Sequence, residues 1–467
     1  MVSGVMRLLA ALALAAAALV AAAAPAGQLA LEVSFTRQTG GFPPDTMGAV
    51  GPEHVVTLTN GGISVHRKSD GLLLDSAHLG AFWSDAGVSV SYPFDPRILF
   101  DPASGRFFAV ALDGGSQTPN EILVAVSNDS DPTAGWTGFA LDSDATDLAW
   151  ADFPTIGVDA DAVTIASDMH RVGQEGLPIG VDVLVAPKAD LLAPAPSIAG
   201  ATLFERVGIG KVGYAPQPVT RVDGGSAPIW LMSSAVAFLG VIQTARVTGT
   251  LDALAIAPGP FVLIDPLPVP PEAERPGGGF FDTGDGHFAS LVQVGGSIWA
   301  VHAARGPSER AAIRWFELDA ETAAVLQTGV IEDPDLDFLY PSIAANALGQ
   351  VVIGYSASNA TSGPSAYAVL GETVGGATVF GAPLLLWAGS DWFGGAGVSR
   401  FGDYSATVVD PSDAELFWTF QQVSGDDGTI AVAGVRVVPE PRAATPVACV
   451  ALLLLACGRA RMRRAAG

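Results

Sequence analysis

Residues 150–169, WADFPTIGVDADAVTIASDM, contain the pattern that predicts the fold of the whole chain. A polar start containing Pro154 leads into an apolar run, Thr155 to Val158. An acidic turn, Asp159 to Asp161, and a second apolar run, Ala162 to Ser167, follow. β-Branched residues fill the runs, and Asp and Pro mark their ends, as in antiparallel strands joined by a tight turn. The stretch therefore predicts a short β-meander.

The same unit recurs along the chain. Copies begin at Asp45, Asp95, Trp150, Gln217, Gly286, Tyr340 and Asp403. A third apolar run follows each pair, such as ILVAVSN from Ile122, and a weaker fourth usually follows, such as GFALD from Gly138 or FVLID from Phe261. Such self-similarity indicates one supersecondary unit used repeatedly. It predicts an all-β chain, a seven-bladed β-propeller of four-stranded antiparallel blades, over residues 27–438.

The last unit stops at its third strand, at Val437, whereas an isolated strand-like run, Leu29 to Arg37, stands near the other end of the chain. We expect this run to pair with Thr429 to Val437 as the outer strand of the last blade. Closing the ring in this way would remove a sheet edge that invites aggregation.

The N-terminus has the pattern of a secretory signal peptide, residues 1–26. Arg7 is the only charge before an Ala- and Leu-rich run, Leu8 to Ala24, and Ala24-Pro25-Ala26 offers a small-residue cleavage site. The alternative is a retained membrane helix.

The C-terminus, residues 439–467, combines three features in order. They are the motif Pro439-Glu440-Pro441, an apolar segment at 443–458, and a cluster of Arg459, Arg461, Arg463 and Arg464. This combination resembles the PEP-CTERM sorting signal of exported bacterial proteins. The resemblance implies that an exosortase-type membrane enzyme recognises the motif, while the apolar helix stops in the membrane and the arginines stay on the cytoplasmic side. The alternative is an ordinary tail anchor.

Composition narrows the choice of partners. The formal net charge is −24, and the only two cysteines, Cys449 and Cys457, lie in the C-terminal apolar segment. An acidic surface repels nucleic acid, and a chain without cysteines between its ends forms no disulfide there. No cofactor is predicted. No pair of histidines has zinc-ligand spacing, whereas binding of Ca²⁺ by the acidic surface is left open.

Aromatic residues stand beside carboxylates in the segments that lead into the innermost strands. Rings that stack on sugar faces and carboxylates that bind hydroxyls suit a glycan platform, although Asp also caps turns and aromatic rings also fill cores. The candidate ligand-binding residues are Trp83, Asp85, Asp95, Trp150, Asp152, Asp285, Trp392 and Asp403. For Trp83, Trp150 and Trp392, a core role and a platform role remain as alternatives.

The middle of the chain resembles sialidase-like surface propellers. Ser127, Asp129 and Trp136 resemble a stretched Asp-box turn, and Arg97-Ile98 resembles the start of the Arg-Ile-Pro motif, with Leu99 in place of Pro. Nothing in the spacing selects the arginine triad and nucleophile that a sialidase needs, so no catalytic residue is assigned.

These observations predict an exported, cell-envelope or extracellular-matrix protein, anchored in the membrane at least transiently. They favour a non-catalytic module that binds an extracellular polysaccharide, another glycan or a surface protein. The alternative is a secreted sialidase-like glycoside hydrolase or a lyase that uses carboxylates at the channel mouth.

Overall fold

The computed structural model describes residues 25, 27–116, 119–174, 176–221, 224–226, 229–234, 237–390, 397–425 and 428–439. The predicted signal peptide, residues 1–26, lies almost entirely outside these residues. Trp392, Glu440, Pro441 and the predicted membrane segment 443–458 lie outside them as well. Within the described part of the chain, no helix has the length and apolar character needed to cross a bilayer.

The described residues form antiparallel sheets that follow one another along the chain, numbered here in that order. Sheet 1 contains Met47–Val50, His54–Thr59, Gly62–Arg67 and Leu73–His78. Sheet 2 contains Phe94–Asp101, Arg106–Asp113, Glu121–Ser127 and Trp136–Asp142. Sheet 3 contains Ala149–Val158, Ala162–Arg171, Gly180–Pro187 and Thr202–Val207.

The second half of the chain continues the series, and here some sheets gain a fifth strand. Sheet 4 contains Gln217–Pro218, Ile229–Ser233, Val241–Thr250 and Ala253–Pro258, with Val262–Leu263 added. Sheet 5 contains Ser290–Val294, Ser297–Arg305, Ala311–Asp319 and Val325–Ile331, with Thr220–Arg221 added in parallel. Sheet 6 contains Asp337–Ala345, Gln350–Ser358, Ser365–Val374 and Ala377–Phe380, with Leu384–Trp387 added.

Sheet 7 contains Ala406–Asp410, Asp413–Gln422 and Thr429–Pro439, and its outer strand is Gly27–Gln38. Leu29 pairs with Val437 and Arg37 with Ile430, so the predicted pairing of the two ends is confirmed. The last strand extends to Pro439, opposite Gly27, and thus reaches the first residue of the predicted sorting motif. The motif therefore begins within this strand and not beyond it.

Shorter elements connect the sheets. A small sheet is made of Ala273–Glu274, Phe280–Phe281 and Val398–Ser399. The described helices are Leu79–Asp85, Lys188–Leu191 and Ile209–Val212, and the 3₁₀ turns are Pro132–Ala134 and Ala237–Leu239. The fourth strand of sheet 4 is Ala253–Pro258, whereas the sequence had suggested the later run from Phe261, of which only Val262–Leu263 pairs.

The sheets are arranged in a closed cycle. The first strand of each sheet, called here the inner strand, contacts the inner strand of the next sheet, and that of sheet 7 contacts that of sheet 1. A separate hydrophobic core lies between each pair of neighbouring sheets, including the pair formed by sheets 7 and 1, where Val55 packs near Trp418.

Because the middle strands are covered on both faces, they are nearly continuous apolar runs; Gly180–Pro187, for example, is buried throughout. The prediction of an all-β chain of mostly four-stranded antiparallel sheets is confirmed, and the arrangement is propeller-like.

Candidate functional site

The inner strands of sheets 1 to 6 each have a residue of unusual backbone conformation at or near their start. Their φ angles are positive, between 45° and 85°, at Asp45, Asp95, Phe153, Ala215, Gly286 and Tyr340. Register shifts follow at this point in sheets 2, 3 and 6. A left-handed conformation costs a residue with a side chain about 1–2 kcal/mol, and β-bulges redirect neighbouring side chains. The repeated left-handed residues and register shifts therefore direct side chains toward one end of the central channel.

A cavity of about 480 Å³ lies at this end and is called here the upper cavity. Its wall is unusually rich in carboxylates, which lie among aromatic and basic side chains. The carboxylates are Asp152, Asp168, Asp282, Asp285 and Asp403; the rings are Phe153, Tyr214 and Tyr340; the basic groups are His170, His287 and Arg400.

Two of the carboxylates face each other across one pair of strands. Asp152, on the inner strand of sheet 3, is in register with Asp168 on the next strand. Burial raises the pKa of Asp168 to about 7, although the Ala215 N–H donates a 2.7 Å hydrogen bond to it and His287 lies nearby. Burial also raises the pKa of Asp152, against the attraction of His170. Like charges directly across strands destabilise a sheet, and raised carboxyl pKa values are typical of functional sites.

A second carboxyl pair, Asp45 and Asp95, lies beside the cavity. Asn60 joins the two residues. Its amide donates to Asp45 Oδ2 at 2.6 Å, and its oxygen accepts from the Asp95 N–H at 2.8 Å. Burial and the charges of Asp152 and Asp403 raise the pKa of Asp95 to about 7. Neighbouring carboxyl groups favour a state in which one of them is protonated, because ionising both brings like charges together.

The basic side chains offset only part of this negative charge. Arg400 forms an ion pair with Asp403, and His287 Nδ1 lies 2.8 Å from Asp285. Among the described residues, no three His, Cys, Asp or Glu side chains are grouped so that they could hold a metal ion.

A layer of aromatic and guanidinium groups closes the inner end of the upper cavity. The Arg97 guanidinium lies 3.3 Å from the ring centroid of Tyr404 and 5.1 Å from that of Phe153. Arg97 Nε donates to the Pro154 carbonyl at 2.8 Å. On the other side of this layer, the channel holds a second cavity of about 320 Å³, the lower cavity.

The structure brings together some of the predicted residues. Asp152, Asp285 and Asp403 line the upper cavity. Asp95 lies beside it, and the Trp150 ring lies 5.3 Å from that of His170, a residue of the cavity wall, with the two rings tilted by 34°. Their role in ligand binding remains a prediction.

Two predicted residues lie elsewhere, and their assignment to this platform is corrected. Trp83 and Asp85 belong to the helix Leu79–Asp85, which follows the outer strand of sheet 1. Trp83 has 0% exposure and packs in the core between sheets 1 and 2, so it presents no surface to a ligand. Asp85 is exposed at the end of that helix. The spacing of the apolar residues could have predicted that Trp83 is buried, because Leu79, Phe82 and Trp83 form the i, i+3, i+4 apolar face of a helix.

The site also contains residues that were not predicted. Asp45 begins the first repeat, in the same position as Asp95, and that correspondence was an available signal. Asp168 gave a weaker signal, because a carboxylate at the end of a second strand meets Asp152 only once the register is known. Tyr214 reaches the cavity from the segment before sheet 4.

Comparisons with known proteins give only distant likenesses. No protein-family model matches the chain, and no curated protein matches it. Among solved structures, the extracellular domains 1–2 of Drosophila Semaphorin 1b are similar with 9% identity and a TM-score of 0.39, covering 87% of each chain.

Two further solved structures show likenesses of the same order. A protein of unknown function from Dyadobacter fermentans is 10% identical with a TM-score of 0.39, covering 73% of this chain and 94% of that one. Trypanosoma rangeli sialidase in complex with the inhibitor DANA is 10% identical with a TM-score of 0.38, covering 89% of this chain and 60% of that one.

Proposed function

We propose that the protein is an exported, seven-bladed β-propeller of the cell envelope or extracellular matrix, and that it binds a glycan without catalysing a reaction. Another surface protein is the alternative partner. The closed cycle of sheets supports the blade number. The two ends of the sequence support export and PEP-CTERM-like sorting by an exosortase-type enzyme, with a transient membrane anchor.

The observation that carries glycan binding is the composition of the upper cavity. Tyr214 and Phe153, which are partly exposed, offer ring surface for the CH face of a sugar. The carboxylates accept hydrogen bonds from hydroxyl groups. Asp168, with a pKa near 7, is protonated in part of the molecules at neutral pH and can also donate. A set of donors and acceptors beside rings suits a polyhydroxylated, uncharged ligand, whereas an anionic polysaccharide would be repelled.

Hydrolysis remains the rival function because a carboxyl group with a raised pKa is what a general acid needs. Glycoside hydrolases hold their two carboxyl groups about 5 Å or about 6.5–9.5 Å apart, on either side of the glycosidic bond. Asn60 contacts both Asp45 and Asp95 and so holds the two residues together, rather than on either side of a glycosidic bond. This contact favours binding over hydrolysis at that pair.

A glycan array probed with the full chain tests the proposal, with and without Ca²⁺. We expect neutral oligosaccharides to bind and sialylated ones to fail. Asp152→Asn and Asp403→Asn should each weaken binding by tenfold or more, whereas Asp252→Asn, at an exposed turn between strands of sheet 4, should not. Binding that survives both cavity variants would refute this site. Release of reducing sugar by the wild type, abolished in Asp168→Asn, would establish the hydrolase.

A further inference from the structure

The lower cavity differs from the upper one in its chemistry. Every sheet contributes to its wall through its inner strand, and most of the contributions are apolar. They include Met47, Ile98, Ile156, Leu291, Ile343 and Val408. Its volume of about 320 Å³ lies within the range of small-molecule sites. Each methylene group that a ligand buries in such surroundings strengthens its binding.

Asp410, near the far end of the wall, already has its partners. It accepts from Lys68 Nζ at 3.0 Å and from Trp418 Nε1 at 3.0 Å. It therefore offers little to a ligand.

Arg97 is the one basic side chain among the described residues of the wall, and it is incompletely bonded. Only 2% of its surface is exposed. Its Nη1 has a weak contact with Met47 Sδ at 4.0 Å, and its Nη2 has no hydrogen-bond partner. A buried donor without a partner lowers stability because it has lost its hydrogen bonds to water, and more so when the group is charged. A ligand that supplies acceptor atoms here would recover that cost.

We propose that the lower cavity binds an aliphatic monocarboxylate, with the carboxylate on the Arg97 guanidinium and the chain along the apolar wall toward Asp410 and Pro411. A guanidinium matches the two oxygens of a carboxylate through parallel N–H···O bonds. The wall beyond Arg97 offers contacts to methylene groups and few polar groups for a sugar or a peptide. The site lies across the Arg97–Tyr404 layer from the upper cavity, so it does not depend on glycan binding there.

Isothermal titration of the full chain with decanoate, hexanoate and decanol tests this site. Affinity should rise from hexanoate to decanoate because each added methylene group enters the apolar wall. Decanol should bind at least tenfold more weakly than decanoate because it has no second acceptor for the guanidinium. Equal affinity for decanoate and decanol would overturn the role of Arg97, and no binding of decanoate would overturn the site.

Two variants locate the site. Arg97→Met should reduce decanoate binding to the level of decanol, with circular dichroism as the check on folding. Val292→Phe fills the cavity without touching the charge and should weaken decanoate binding tenfold or more, whereas Val330→Phe, on the outer strand of sheet 5, should leave it unchanged. If Val292→Phe binds as the wild type does, the ligand is not in the lower cavity. Val292→Phe should leave glycan binding intact, which separates the two sites.

Discussion

At the scale of single residues, Asp168 shows how a buried carboxyl group of the upper cavity lowers the free energy of unfolding. It is 5% exposed, and its pKa of about 7 lies above the ordinary value of 3.8. Between about pH 4 and 7 the folded protein therefore holds a proton that the unfolded chain has released. The free energy of unfolding falls as pH rises through this window.

Replacing Asp168 by Asn should remove this dependence. We expect Asp168→Asn to raise the free energy of unfolding by about 1–3 kcal/mol at pH 8 and to change it little at pH 4. The amide oxygen can still accept from the Ala215 N–H. Urea unfolding at both pH values measures the effect, with the exposed Asp252→Asn as control. A variant that is equally stabilised at pH 4 would refute titration as the cause.

Two tryptophans provide a second test at this scale, because both were candidates for the same platform. Trp83 is fully buried, so Trp83→Ala should cost about 3–5 kcal/mol of stability. Trp150 is half-buried and its ring contacts that of His170, so Trp150→Ala should cost less and should weaken glycan binding. Thermal melts beside the glycan assay measure both. A Trp83→Ala protein as stable as the wild type would contradict its place in the core.

At the scale of elements, the strand Gly27–Gln38 completes sheet 7 from the opposite end of the chain. It pairs along the whole length of Thr429–Pro439, and Glu32 forms a 2.9 Å ion pair with Arg436. Without it, Thr429–Pro439 would present unpaired N–H and C=O groups along a free edge.

We expect deletion of residues 29–37 to lower the melting temperature and to cause self-association, measured by size-exclusion chromatography with light scattering. As a control, Glu32→Gln weakens one exposed ion pair but keeps the strand, and it should remain monomeric with nearly unchanged stability. A deletion variant that stays monomeric with the wild-type melting temperature would show that the strand is dispensable.

At the scale of the whole molecule, the two ends of the sequence are expected to decide where the ring of sheets is placed. Replacing Pro439, Glu440 and Pro441 by Ala should leave folding intact but stop C-terminal processing. Of the three residues only Pro439 lies in a described strand, where it is exposed at the end. Mass spectrometry of the mature protein measures the processing. A wild-type protein that still carries Arg463 and Arg464 would contradict the sorting prediction.

The sequence by itself determined the class of the fold. Strand periodicity and turn residues act over a few positions, so repeated copies of the pattern that begins at Trp150 predicted the succession of antiparallel sheets. The additional strand-like run Leu29 to Arg37 predicted that the sheets close into a ring. The same local signals identified Asp152, Asp285 and Asp403 as residues that precede or begin inner strands.

Only the tertiary structure decided which side chains meet. Asp168 faces Asp152 because of strand register, Asn60 joins Asp45 to Asp95 because sheets 1 and 2 are neighbours in the ring, and Arg97 lies between two cavities that no single repeat contains. These contacts join residues from different parts of the chain, and the raised pKa values follow from burial among them. Local sequence patterns describe strands, whereas burial and charge depend on distances that exist only after the ring has closed.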